Sequence, residues 1–327
     1  MLLFGYSTPN FPNGKPIVNK SSNQKFAQPS ATALTMIAIL TVLWGVNFPS
    51  LKLAVSEFPP WTFRVLCVTC GAIGLLGIGR LILGHSIRIR PGEWLPIALA
   101  GCFNITGFQM CVAFALMSVE AGRGAIVAHT MPLWATIFAA IFLKEKLTVV
   151  RSFGLIIGLS GLIVLIGEDI VGLGKTPVGT ALLLGAAISW GAGTVIIKSR
   201  SWTTPIIILT GWQFIMGGIP IAIGMIIFEW NITYQPLSQI GLMAVLYSAL
   251  VPMIVCHLLW YTLIGMLPTA IASISTLAIP LVGVYSSAIL LEEKIGIREW
   301  VSLALVALAI SIVIAPSGVW FSFRRKK

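Results

Sequence analysis

Ten runs of mostly apolar residues, each close to the ~20 residues a helix needs to cross a bilayer, divide this chain almost end to end. They fall near 34–56, 60–82, 94–117, 120–143, 149–167, 178–198, 204–228, 239–263, 268–291 and 297–315. The links are short, and several carry Pro or Gly: Pro59-Pro60, Pro91-Gly92, Gly172 to Pro177, Pro205, Pro236 and Pro268. No link is long enough for a folded soluble domain. Only 9% of the 327 residues are charged, against roughly 25% in a soluble protein. The expected fold class is therefore an all-α membrane protein with ten transmembrane helices and the lipid bilayer as its solvent.

The formal charge of +11 raises the question of nucleic acid. The basic residues argue against it, because they sit in the tails and in the gaps between apolar runs, not along one stripe. With the N-terminus inside, fifteen of the 21 Lys and Arg residues fall on the inner side. That excess places both termini in the cytoplasm of a bacterial-type inner (plasma) membrane. Residues 1–33 read as a disordered polar tail, without the ordered regions of a signal peptide. Residues 316–327 read as a basic cytoplasmic tail. Cys67, Cys70, Cys102, Cys111 and Cys256 lie inside apolar runs and read as structural thiols, since no second pair or nearby His completes a metal site.

The chain repeats itself. Met131-Pro132-Leu133 to Leu143-Lys144-Glu145-Lys146-Leu147 returns as Ile279-Pro280-Leu281 to Leu291-Glu292-Glu293-Lys294-Ile295, 148 residues later. Trp44-Gly45 matches Trp190-Gly191, and Lys52 matches Lys198, at an offset of 146. The two repeats span 34–167 and 178–315. Five helices is an odd number, so the second copy must insert upside down relative to the first. Two inverted five-helix repeats are the architecture of many secondary transporters, which open a central site to either side.

Four features carry a family resemblance: Leu43-Trp44-Gly45-Val46-Asn47-Phe48; Pro59-Pro60 followed by Arg64; Pro132 with Leu143-Lys144-Glu145-Lys146-Leu147 and the Gly-rich fifth helix; and their echo at Pro280 and Glu293. Across about 280 residues the chain resembles the drug/metabolite transporter superfamily, in its ten-helix EamA-like family. The resemblance implies a bundle with a central cavity and transport of a small-molecule substrate. Small multidrug exporters of that superfamily resemble a half-unit and use a membrane-buried Glu. Here Glu57, Glu120 and Glu229 lie at helix ends, which speaks against a carboxylate-driven exchange.

Polar groups inside a membrane face protein or a cavity. Gln109 in helix 3 and His257 in helix 8 are equivalent under the 148 offset, and His129 lies midway along helix 4. Cavity lining and hydrogen bonding between helices both fit them. The other candidates for contact with substrate are Asn47, Trp190, Gln213, Trp260 and Tyr261. Pro49 beside Asn47 is expected to loosen helix 1. Arg64, Arg123, Pro132 and Pro280 are assigned gating or structural roles. Arg64 is expected either to reach the outer surface or to pair with Glu57 or Glu120. Arg123 is expected to pair with Glu120 along the helix or to face the cavity mouth. Gly154, Gly158 and Gly161 form a small-residue face that serves helix packing or a homodimer; monomer and homodimer both remain open.

No phosphate loop, nucleotide fingerprint, catalytic triad, metal site or cofactor motif is found, so the chain does not read as an enzyme. The expected function is a secondary transporter of small organic metabolites working by alternating access, exporting amino acids or related compounds. Efflux of drugs or amphipathic compounds is the alternative. Proton coupling, if present, falls to His129 or His257, because His titrates near neutrality.

Overall fold

The computed structural model describes residues 30–145, 147–170, 176–232, 236–266 and 278–314. Both expected tails fall almost wholly outside these residues, as do Lys146, Pro268 and Trp320. The described residues are helical, with no strand among them. The helices are α1 (Ala31–Glu57), α2 (Pro60–Gly77, continued by a π turn at Ile78–Ile82) and α3 (Trp94–Gly101, a π turn at Cys102–Gly107, then Phe108–Leu116). Next come α4 (Ala121–Ala128 and Met131–Phe142), α5 (Val149–Ile170), α6 (Pro177–Lys198) and α7 (Ile206–Phe228). Last are α8 (Gln239–Leu250, a π turn at Val251–Cys256, then His257–Met266), α9 (Ala278–Leu291) and α10 (Ile297–Ile314). Seven of these, α1 to α4 and α6 to α8, are long and apolar enough to cross a membrane. Large apolar side chains such as Ile73, Leu81, Val149, Ile227 and Ile289 point outward, which in water would be a severe liability and in lipid is the expected surface.

Helix starts follow the local chemistry. Ser30 and Ser238 cap α1 and α8, accepting from the backbone N–H of Ala33 and Gly241. Pro59 and Pro205, 146 residues apart, are the extended residues from which α2 and α7 begin. Pro132 lacks an N–H, and α4 is broken immediately before it, at His129-Thr130. Pro49 has no such effect, because α1 runs through it unbroken.

Packing respects the duplication. The first helix of each half packs on the fourth of the other, α1 on α9 and α6 on α4. It also packs on the other half's third helix, α1 on α8 and α6 on α3. The second helix does likewise, α2 on α8 and α7 on α3, while α2–α7, α4–α9 and α5–α10 are self-matched pairs. The Trp-Gly motif marks one matched pair of close contacts. A methyl group at Gly45 would lie 2.5 Å from Val282 Cγ1 on α9, and one at Gly191 would lie 2.8 Å from Trp134 Cβ on α4. Val282 and Trp134 are themselves 148 apart. Only a residue without Cβ lets these backbones approach so closely.

Candidate functional site

The matched charges of the two halves meet each other. Lys144 and Glu292, 148 residues apart, both have a left-handed backbone at φ 55° where α4 and α9 end. Few residues other than Gly accept this conformation, so its recurrence points to a demand of the fold. It turns the next residue, Glu145 or Glu293, back toward the bundle. Glu293 pairs with Lys52 of α1 at 3.2 Å, and Glu145 pairs with Lys198 of α6 at 2.6 Å. Each ion pair therefore joins the first helix of one half to the end of the fourth helix of the other. The pairs lie at opposite ends of the bundle, since Glu293 also accepts from Ala121 N and Gly122 N at the start of α4, whereas Glu145 follows its last turn. Lys52 also donates to Val119 O.

Three further carboxylates tie helix ends together. Glu229, after α7, accepts from Trp61 N, Thr62 N and Thr62 Oγ1 at the start of α2. Glu93, before α3, accepts from Thr203 N, Thr203 Oγ1 and Thr204 Oγ1 ahead of α7. Glu57, the last residue of α1, accepts from Ser238 N and Oγ at the start of α8. A cleft of about 440 Å³ beside Thr203 and Thr204 is also lined by Ser86, Arg88 and Arg90.

Between these ends lies a cluster of rings. His257 has Trp44, Phe214 and Tyr261 around it, with centroids 5.9, 5.4 and 6.1 Å away. Trp260 lies 6.2 Å from Trp44, and Tyr261 donates its hydroxyl to Thr210 on α7. His257 sits immediately after the π turn of α8 and bonds through Nδ1 to the Pro252 carbonyl at 2.8 Å. In α3 the corresponding turn offers the Phe103 carbonyl, which takes the Ser189 hydroxyl. A π turn leaves a carbonyl poorly satisfied within the helix, and each is filled by a side chain.

The candidates drawn from the sequence divide accordingly. His257, Trp260 and Tyr261 come together. Gln109 reaches the same region from α3, with Nε2 3.9 Å from Met253 Sδ, one turn before His257. No direct contact between Gln109 and His257 is seen among the described residues. His129 bonds to Ala125 O and lies 5.5 Å from Phe48. Trp190 packs on Phe108 at 4.8 Å, and Gln213, next in sequence to Phe214, accepts from Asn104 Nδ2, both in the α3–α6–α7 contact. Asn47 keeps a buried Oδ1 without a partner. Pro280 lies buried near the start of described α9.

Arg64 differs from expectation. Arg64 reaches no surface and pairs with neither acid: it is fully buried, and Glu57 is engaged by Ser238. The α7 end and Glu229 extend over the first turn of α2, which puts Arg64 deeper than a helix count suggests. Arg123 lies beside Glu120, close enough to act on its charge, and also donates to Leu165 O on α5. Trp44, Phe48, Phe214 and the two Lys–Glu pairs were not singled out as site residues. The pairs could have been found from the repeat, since they join its own matched charges.

A multi-pass bundle whose halves interlock by equivalent contacts is the build of a membrane transporter. The EamA-like transporter family matches residues 31–167 and 177–315, and the chain belongs to it, within the drug/metabolite transporter superfamily. The chain is 26% identical over 289 residues to the uncharacterized transporter YvbV of Bacillus subtilis, covering 87% of this chain and 92% of that one. It is 24% identical over 282 residues to a probable amino-acid metabolite efflux pump of Escherichia coli, covering 82% and 90%. A solved crystal structure superimposes with a TM-score of 0.63 at 19% identity, covering 91% of this chain and all of that one; that likeness concerns the fold alone.

Proposed function

We propose that α1 to α10 are ten transmembrane helices in two inverted repeats, with both termini cytoplasmic in a bacterial-type inner membrane, and that the protein is an alternating-access secondary transporter. Its cargo is a small organic metabolite, an amino acid or related compound moved outward. The two Lys–Glu pairs carry this reading. A carrier needs equivalent closures at its two ends, and these residues supply one at each end from the same repeated motif. The Lys52–Glu293 end is the outer one by the distribution of basic residues. The relatives named as amino-acid metabolite efflux pumps support the choice of cargo.

Purified protein in liposomes tests this. Loaded amino acids are expected to exchange across the membrane, and a Lys52→Cys/Glu293→Cys variant cross-linked by a short bifunctional reagent is expected to stop exchange. Uninterrupted exchange after complete cross-linking would remove the Lys52–Glu293 pair as a gate.

A further inference from the structure

Among the described residues, buried charges are satisfied with one exception. Glu93 and Glu229 are 3% and 4% exposed, and each accepts three hydrogen bonds. Arg64 is 0% exposed, and its Nε, Nη1 and Nη2 have no hydrogen-bond partner. Its near neighbours are the Phe63 ring, 5.1 Å from the guanidinium carbon, and the Cys67 thiol one turn on. A desolvated guanidinium without a counter-charge is among the most unfavourable groups a fold can hold.

The fold itself does not require the charge. At the matched offset of 146, the position of Arg64 in the second half is Thr210. That residue is neutral and bonded to Tyr261 within the protein. The same helix position thus works without a cation.

Arg64 also occupies a particular face. Arg64, Cys67, Gly71 and Gly74 share one side of α2 by their spacing of three, four and three. A methyl group at Gly71 would lie 2.9 Å from the Phe214 ring and 3.1 Å from Met253. Phe214 is one of the rings around His257, and Met253 is the contact of Gln109. The face therefore runs from the guanidinium to the ring cluster, about 10 Å over seven residues. On the other side of Arg64, Trp61 is stacked on Phe228 at 5.6 Å and closes the way to the outer end.

We infer that Arg64 is the anion anchor of the transport site: it takes the carboxylate of a small organic substrate whose apolar body enters between α2 and the rings around His257 when the close contact of Gly71 with Phe214 and Met253 opens. This rests on the transport reading above and narrows its substrate class. A guanidinium binds a carboxylate through two parallel hydrogen bonds, so the substrate supplies the charge and the acceptors that the protein withholds.

The test uses the purified full chain, with leucine and phenylalanine as probes and leucinamide and phenylalaninamide as controls without a carboxylate. The acids are expected to raise the melting temperature of the wild type and the amides are not. Arg64→Met is expected to abolish the shift with the acids, weakening their binding by about ten- to a hundredfold. Arg64→Lys should keep part of it. Without ligand, Arg64→Met should melt at the wild-type temperature or higher, because only a weak contact with the Cys67 sulfur is lost and a buried charge is removed. A lower melting temperature or failure to fold would make Arg64 a structural residue and overturn the inference. Equal shifts with acids and amides, or no shift with the acids, would overturn it too. Carboxylate binding that depends on Arg64 but without exchange in liposomes would uphold the anchor and strike at the transport reading alone.

Discussion

The two Lys–Glu pairs are built from the same repeated residues, yet they sit in different surroundings. At Lys52–Glu293 the side chains are 29% and 11% exposed; at Lys198–Glu145 they are 56% and 35% exposed. Coulomb attraction between exposed groups is screened by water and salt, and such pairs contribute about 0–1 kcal/mol. A partly buried pair that also holds the N-terminus of α4 is held far more firmly. A symmetric sequence motif has thus become an asymmetric pair of contacts, with the more buried one at the Lys52–Glu293 end. Under the proposed transport reading, the Lys198–Glu145 end opens with less work.

Removing each acid breaks or sharpens this contrast. Glu293→Ala loses the ion pair and the bonds to Ala121 N and Gly122 N. It should destabilise the protein by about 3 kcal/mol, read as a fall in melting temperature. Glu145→Ala should change the melting temperature little, within about 1 kcal/mol, and 1 M salt should erase even that. Equal losses in the two variants would mean that exposure does not set the strength of the closures.

The packing contacts should be more alike than the ion pairs. Gly45→Ala and Gly191→Ala each force a methyl group into a space already filled, by Val282 and by Trp134. Losses of about 1–3 kcal/mol are expected in both, read as melting temperature. A tolerated alanine at one site only would show that the halves have diverged in packing as well as in charge.

The smallest effect belongs to Glu120, beside Glu293. Although its side chain keeps contact with solvent, desolvation at the helix ends and then the Glu293 and Glu299 carboxylates hold its pKa above the ordinary range. A raised carboxylate pKa means that the folded state binds the proton more tightly than the unfolded one. The associated stability is present at acid pH and is lost as pH rises through the folded value. Glu120 makes no side-chain capping bond, so Glu120→Gln should melt slightly higher than wild type at neutral pH. The gap should close on acidification, and a gap independent of pH would remove the electrostatic cause.

Much of the architecture was legible in the sequence, because apolar run length and residue offsets report directly on membrane helices and duplication. The equal offsets of Lys144 and Glu292 became equal backbone angles. The π turns of α3 and α8 were not legible, for Pro252 accompanies one and no proline lies in the other. Nor was the setting of Arg64. Its place near a helix end suggested an interface, and only the overlap of α7 with the start of α2 buries it. Among site candidates, His257, Trp260 and Tyr261 share one helix and were found together. Trp44 and Phe214 join them from other helices, which no local pattern announces.

The Lys52–Glu293 pair bridges 241 residues of chain. Lys198, in contrast, follows its partner Glu145 by a single helix pair. During synthesis the Lys198–Glu145 pair can therefore form while the ribosome is still making α7. Lys52 has to wait in the growing bundle until almost the last helix has been delivered. The membrane protein thus completes its Lys52–Glu293 end as one of the final acts of its own assembly, and a nascent chain stalled before Glu293 lacks the residue that ties α1 to the end of α9.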